Sequence, residues 1–119
     1  MEWKPATLDE VKEILRSDLE ECNPQQIAIF EKCFVEPHFA PIERYGEVEN
    51  VVVVAQKSGD VIYWEDVECG FNISSIGPDG RILEHWCNQD PLTVALYRLD
   101  QPPENRGYNW GPAQPLPKL

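Results

Sequence analysis

The sequence predicts an α+β domain: two N-terminal helices, a four-stranded antiparallel β-meander, one C-terminal helix and a Pro-rich tail. Three observations predict it. Near the N-terminus, apolar residues recur at three- and four-residue steps behind residues suited to capping a helix. Between Ile42 and Trp86 they gather in β-branched runs punctuated by glycine turns, and helical spacing returns after Pro91. With 119 residues, 42% of them apolar, the chain has enough material for one core and too little for two. The expected division is a single domain over residues 1–100 and a C-terminal extension over 101–119.

Thr7-Leu8-Asp9-Glu10 has the form of a capping box, so a helix begins there, with Leu8, Val11, Ile14, Leu15 and Leu19 on its core side and most of its acids on the other. Asn23-Pro24 repeats the signal: Asn caps free amides, and Pro in the first turn gives up an N–H that had no partner. This second helix is expected to run to about Phe34. Pro37 and Pro41 then forbid a helix, and Glu36 to Pro41 reads as a connector.

The run Val51 to Val54 is apolar on both parities, as in a central strand covered on two sides. Lys57-Ser58-Gly59-Asp60 supplies a reversal in which Gly59 is expected to take the positive φ, and Val61 to Val67 returns antiparallel. Cys69-Gly70 interrupts the ladder before a strand from Phe71 to Ile76. Gly77-Pro78-Asp79-Gly80 is a hairpin signal leading into a fourth strand, Arg81 to Trp86, and a further short strand near Ile42 to Tyr45 is compatible with the pattern. Asp90-Pro91 starts the last helix on the cap-then-proline logic, with Leu92, Ala95, Leu96 and Leu99 at helical spacing. Beyond Asp100 five of the eleven prolines fall within residues 101–119, and this tail is expected to be extended or disordered.

Charge narrows the function classes. Twenty-one Asp and Glu against ten Lys and Arg give a formal charge of -11, which opposes direct nucleic-acid binding through phosphates. The longest apolar run, Val51 to Ala55, is far short of the roughly 18 residues of a membrane span, and no signal-peptide pattern opens the chain, so a soluble cytoplasmic protein is expected, with no membrane partner. Cys22, Cys33, Cys69 and Cys87 read as free thiols, mostly apolar filler.

No motif points to a metal or cofactor, and none is expected. The calcium-loop spacing is absent; His85-x-Cys87 with Cys69 lacks the Cys-x-x-Cys pair of a zinc site, and position 87 is not the Glu of the zinc-deaminase signature. A thiol–imidazole pair could form from Cys69 or Cys87 with His38 or His85, and Glu65 with Glu84 could do acid–base work if one lay in an apolar pocket. The chain has no nucleophile elbow, phosphate loop or HExxH, so no catalytic residues are expected.

The acidic stretch is more informative. Asp60, Glu65, Asp66 and Glu68, with no basic residue between, suggest a face for a cationic protein, in which carboxylates there or on the first helix stand in for phosphates. Trp64, Tyr108 and Trp110 are the candidate aromatic anchors, while Trp86 reads as a strand residue and Trp3 lies outside any periodic segment. The expected function is therefore a small acidic inhibitor that binds and blocks a basic partner such as a nuclease toxin. In size and charge alone the chain resembles the immunity proteins of bacteria, without a shared motif. The alternatives are a small enzyme with a pocket near His85 and Cys69, or an adapter binding through its tail, where Pro112 and Pro115 form a minimal PxxP. The oligomeric state is not readable from these features.

Overall fold

Thr7 opens α1 (Leu8–Glu20) as a full capping box, its hydroxyl accepting from the Glu10 amide while the Glu10 carboxylate accepts from the Thr7 amide. Asn23 and Gln26 do the same for α2 (Pro24–Cys33). Such a cap contributes about 1 kcal/mol and marks a helix start from within four residues of sequence. The computed structural model describes residues 4–107. Trp3, Tyr108, Trp110 and the Pro112–Pro115 step lie outside the described residues.

The chain continues through β1 (Phe34–Arg44), β2 (Glu47–Lys57), β3 (Asp60–Glu65) and β4 (Gly70–Ser75) to α3 (Leu92–Asp100) and a single 3-10 turn (Pro103–Asn105). The four strands form an antiparallel meander in the order β1-β2-β3-β4. The expected architecture is present, but one strand has a different identity. The segment read as a connector, Glu36 to Pro41, lies inside the eleven-residue β1, and Arg81 to Trp86 is not a strand. Prolines forbid a helix there but do not forbid an edge strand, where a missing N–H leaves no ladder bond unmade. β1 is such an edge, and its register shifts between Phe34 and His38, the interval that holds Pro37.

All three helices cover one face of the sheet. Val11 and Leu15 of α1, Phe30 and Cys33 of α2, and Leu92, Ala95, Leu96 and Leu99 of α3 close over Val52, Val54, Ile62, Phe71 and Ile73. Trp64, half-buried, joins this core with its ring edge-on to Phe71. The β2–β3 register skips at Val54, so that Val54 and Ala55 both enter the helix-side core, while Val51 and Val53 face the other way.

The opposite face is covered by backbone. Gly77 to Gly80 makes the anticipated turn, and Ile82 then bridges Ile76 antiparallel and Ile42 of β1 in parallel, joining the two outer strands of the sheet. That junction requires the sheet to curl around a second core of Ala40, Ile42, Val51, Val53, Val61, Tyr63 and Ile82. After Ile82 the chain crosses this face, and side chains replace the strand ladder. The Ser74 hydroxyl accepts from the Glu84 amide, the Tyr63 hydroxyl from the Trp86 amide, and the Asn72 amide group exchanges two bonds with the Asn88 backbone. Buried backbone groups must be satisfied by some partner, and here three inward polar side chains supply it. Residues 88 and 89 pass so close to Gly70 that a Cβ there would lie 2.3 Å from the Asn88 oxygen and from Gln89 Cα.

Other local expectations were overridden by tertiary contacts. Ser58, with φ 56°, takes the left-handed position of the β2–β3 turn instead of Gly59. Pro91 occupies the N-cap of α3 without a side-chain cap, and Asp18 of α1 accepts from the Leu92 amide instead of Asp90. Residues 101–107, expected to belong to an extended tail, fold back: Arg106 donates to the Arg98, Leu99 and Gln101 carbonyls at the end of α3 and pairs with Asp60 at 2.8 Å. No helix among the described residues is long and apolar enough to cross a membrane.

Candidate functional site

The inward positions of β1 are Ala40, Ile42 and Arg44, so the strand's period of two carries the third of them under the sheet as a cation. Arg44 is fully buried at its side chain and gathers three carboxylates: Nη1 to Glu65 Oε1 at 2.6 Å, Nη2 to Asp66 Oδ1 at 2.9 Å and Nε to Glu49 Oε1 at 3.0 Å. A planar guanidinium suits this fork, whereas a lysine would offer one point charge. Burial opposes ionisation of Arg44, but its carboxylate partners reverse this and hold the guanidinium more firmly protonated than usual. Burial likewise raises the Glu65 carboxyl, yet His85, the Val67 amide and Arg44 together outweigh it and leave the group below its ordinary range.

The structure therefore divides the candidate residues. Glu65 and Asp66 are not on an outer face: Glu65 is completely buried, and Asp66 is buried with Oδ2 accepting from the Ala6 amide at 3.0 Å. The strand β3 ends at Glu65, two residues short of the Val67 expected for it, and the chain turns at Asp66, so strand alternation does not set the direction of Asp66 and Glu68. Asp60 is committed to Arg106, and Trp64 to the helix-side core. Glu68, half-exposed near Gln89, is the one of the five described candidates with neither an ion pair nor a place in a core among the described residues. Arg44 and Glu49 are not among the expected site residues; the Ala40-x-Ile42-x-Arg44 alternation is their signal in the sequence, hidden by the two prolines.

His85 and Cys87 do come together, but not as a catalytic pair. Glu65 Oε2 lies 3.0 Å from His85 Nε2, and Cys87 Sγ lies 3.7 Å from the same nitrogen. A working triad places carboxylate and nucleophile on opposite ring nitrogens. Burial, followed by the charges of Glu65 and Glu68, pushes the Cys87 thiol up, opposite to the shift of an activated nucleophile. Cys69 stands apart, exposed in the turn at φ 57°. His38 is exposed and bonded to the Glu36 carbonyl. Among the described residues no group of three or more His, Cys, Asp or Glu is arranged to hold a metal ion.

The hub of Arg44 instead shapes a surface. Through Asp66 it holds the Ala6 backbone, and through Arg44 it holds Glu49; both residues line an open groove of about 730 Å³ between the start of α1 and the β1–β2 hairpin. Pro5, Leu8 and Phe39 supply its apolar lining and Asp9 joins Glu49 in giving it acidic character. Beyond Val52 toward Glu47, β2 pairs with β1 only, so the hairpin extends past the rest of the sheet. A smaller cavity of about 260 Å³ lies beside Trp86, where Arg98 is already bonded to Asp90 and the Arg106 carbonyl, and Arg106 to Asp60 and the Arg98 carbonyl.

No family model matches the chain, and neither a curated protein nor a solved structure matches it.

Proposed function

We propose that this chain is a small anionic binding protein that docks onto a basic protein partner and blocks it, an inhibitor of the immunity type, with a cationic nuclease domain as the partner class. The supporting observation is how its charges are committed. Six of the nine Lys and Arg among the described residues, Lys12, Arg16, Arg44, Lys57, Arg98 and Arg106, are paired with carboxylates of the same chain. Asp9, Glu21, Glu31, Glu43 and Glu47 stay exposed and carry no ion pair among the described residues. The surplus is thus presented by the helical layer and the tip of the β1–β2 hairpin, and a cleft built for nucleic acid offers the complementary potential.

Such a potential accelerates encounter, and salt suppresses it as the screening length shrinks from about 30 Å at 0.01 M to about 8 Å at 0.15 M. The test is calorimetry and nuclease assay with a panel of cationic nuclease domains and a neutral domain as control. The expected result is saturable binding and loss of activity for a cationic member, weakening as ionic strength rises. Binding that is insensitive to salt, or no cationic domain bound and inhibited, refutes the reading.

A further inference from the structure

We infer that the groove between the start of α1 and the β1–β2 hairpin is the docking site, and that it takes a basic segment of the partner carrying one apolar anchor residue flanked by Lys or Arg. The inference rests on the binding reading above and specifies the contact. Shape and charge both fit such a segment. The groove, about 730 Å³, lies within the about 300–1,000 Å³ range of ligand clefts. Its apolar lining comes from Pro5, Ala6, Leu8 and Phe39, and Phe39 is 48% exposed although it sits within a strand. An apolar surface of this kind is a seat for an aliphatic or aromatic side chain, the usual source of binding energy at an interface centre.

The surroundings select the sign of the flanking residues. Asp9 lines the groove without an ion pair among the described residues, Glu49 lines it while held by Arg44, and Glu43 and Glu47 stand exposed on the same hairpin. A helix N-terminus ordinarily favours an anion, but here Thr7 takes up the Glu10 amide, and Asp9 and Glu10 place two carboxylates in the first turn. An anionic ligand would meet repulsion from them. The groove is also held from below: Asp66 fixes Ala6 and Arg44 fixes Glu49, so its two sides are preorganised by one buried cation and lose little freedom on binding.

The test titrates the full chain, isotopically labelled, with three short probe peptides: oligolysine, a lysine-rich peptide with a central leucine, and a serine-rich peptide with the same leucine. The leucine–lysine peptide is expected to bind most tightly, with amide shifts centred on Leu8, Phe39 and Asn50. Phe39→Ser, at a half-exposed site outside both apolar cores, is expected to weaken that peptide about ten-fold and leave oligolysine unchanged, with an unchanged thermal midpoint as the check that the fold is kept. Equal affinity for oligolysine and the leucine–lysine peptide, or indifference to Phe39→Ser, or shifts confined elsewhere, would overturn the groove while leaving the electrostatic reading intact. Failure of every lysine peptide to bind at low salt would remove both. Two other occupants are covered as well. Tighter peptide binding after removal of residues 1–3 would assign the groove to the chain's own N-terminus, and a concentration-dependent dimer abolished by Phe39→Ser would assign it to a second copy; either result overturns the inference.

Discussion

The two faces of the sheet are built on different principles. The helix-side face is held by apolar residues delivered at helical and strand periods, with helices that begin at local caps. The opposite face has a smaller apolar core, and its remaining interior is polar: Asn72, Ser74 and Tyr63 bind a crossing backbone, and Arg44 bridges Glu65 and Asp66. Non-directional burial tolerates adjustment; hydrogen-bonded and charged interiors fail sharply when one member is lost. The contrast teaches that this molecule places its conformational precision on the face the helices leave uncovered.

The largest effect is expected at Arg44. Replacing it by methionine keeps an apolar stem but leaves Glu65 and Asp66 buried with no cation between them, a loss of about 3–5 kcal/mol. Chemical denaturation measures it; a change below about 1 kcal/mol would mean that the buried charges find water or protons readily, and the two faces would then be more alike than described. The groove should loosen in the same variant, since Ala6 and Glu49 are held through this hub.

A smaller but still severe effect is expected for Gly70→Ala. The added carbon meets backbone at 2.3 Å rather than a side chain able to swing away, so residues 88 and 89 must lift from the sheet at about 1–3 kcal/mol. Hydrogen exchange localises the damage: amides 84–90 should lose protection while α1 and α2 keep theirs. Uniform loss over both faces would show that the crossing segment is not a separable unit.

The smallest effect is a matter of pH. Glu65 is held below its ordinary pKa in the folded chain, so its ionised form stabilises the fold above the unfolded value, near 4.3. That contribution is lost as pH falls through the lower folded value. Stability should therefore decline in acid, and Glu65→Gln should make the decline shallower, since it removes one group whose proton affinity differs between the two states. An unchanged acid limb in Glu65→Gln would place the acid sensitivity in other carboxylates.

Legibility follows the same division. Thr7 with Glu10, Asn23 with Gln26, and the apolar steps of α1 and α2 are signals contained within a few residues, and the helices begin where those residues say. Val51 to Val54 announced a strand covered on both sides, and it is. By contrast β1 was hidden by Pro37 and Pro41, whose local meaning is ambiguous until the strand is known to be an edge. Arg81 to Trp86 carries a strand's composition and the right turn before it, yet only Ile82 pairs, because Ser74, Tyr63 and Asn72 offer the later backbone a better route across the sheet. The acidic stretch was visible as charge, but which way each carboxylate points depends on where β3 ends and on an arginine twenty-one residues earlier.

What the sequence determined by itself is the α+β class, the helix starts, the turns at 57–60 and 77–80, and the net charge of -11. Each of these is decided by residues within one turn of the chain or by composition. Tertiary structure alone decided that Glu65 and Asp66 face inward, that Asp18 caps α3 and that Arg106 anchors residues 101–107. Those outcomes depend on finding a partner far along the chain for a group that cannot be buried unpaired, and no local pattern records where that partner is.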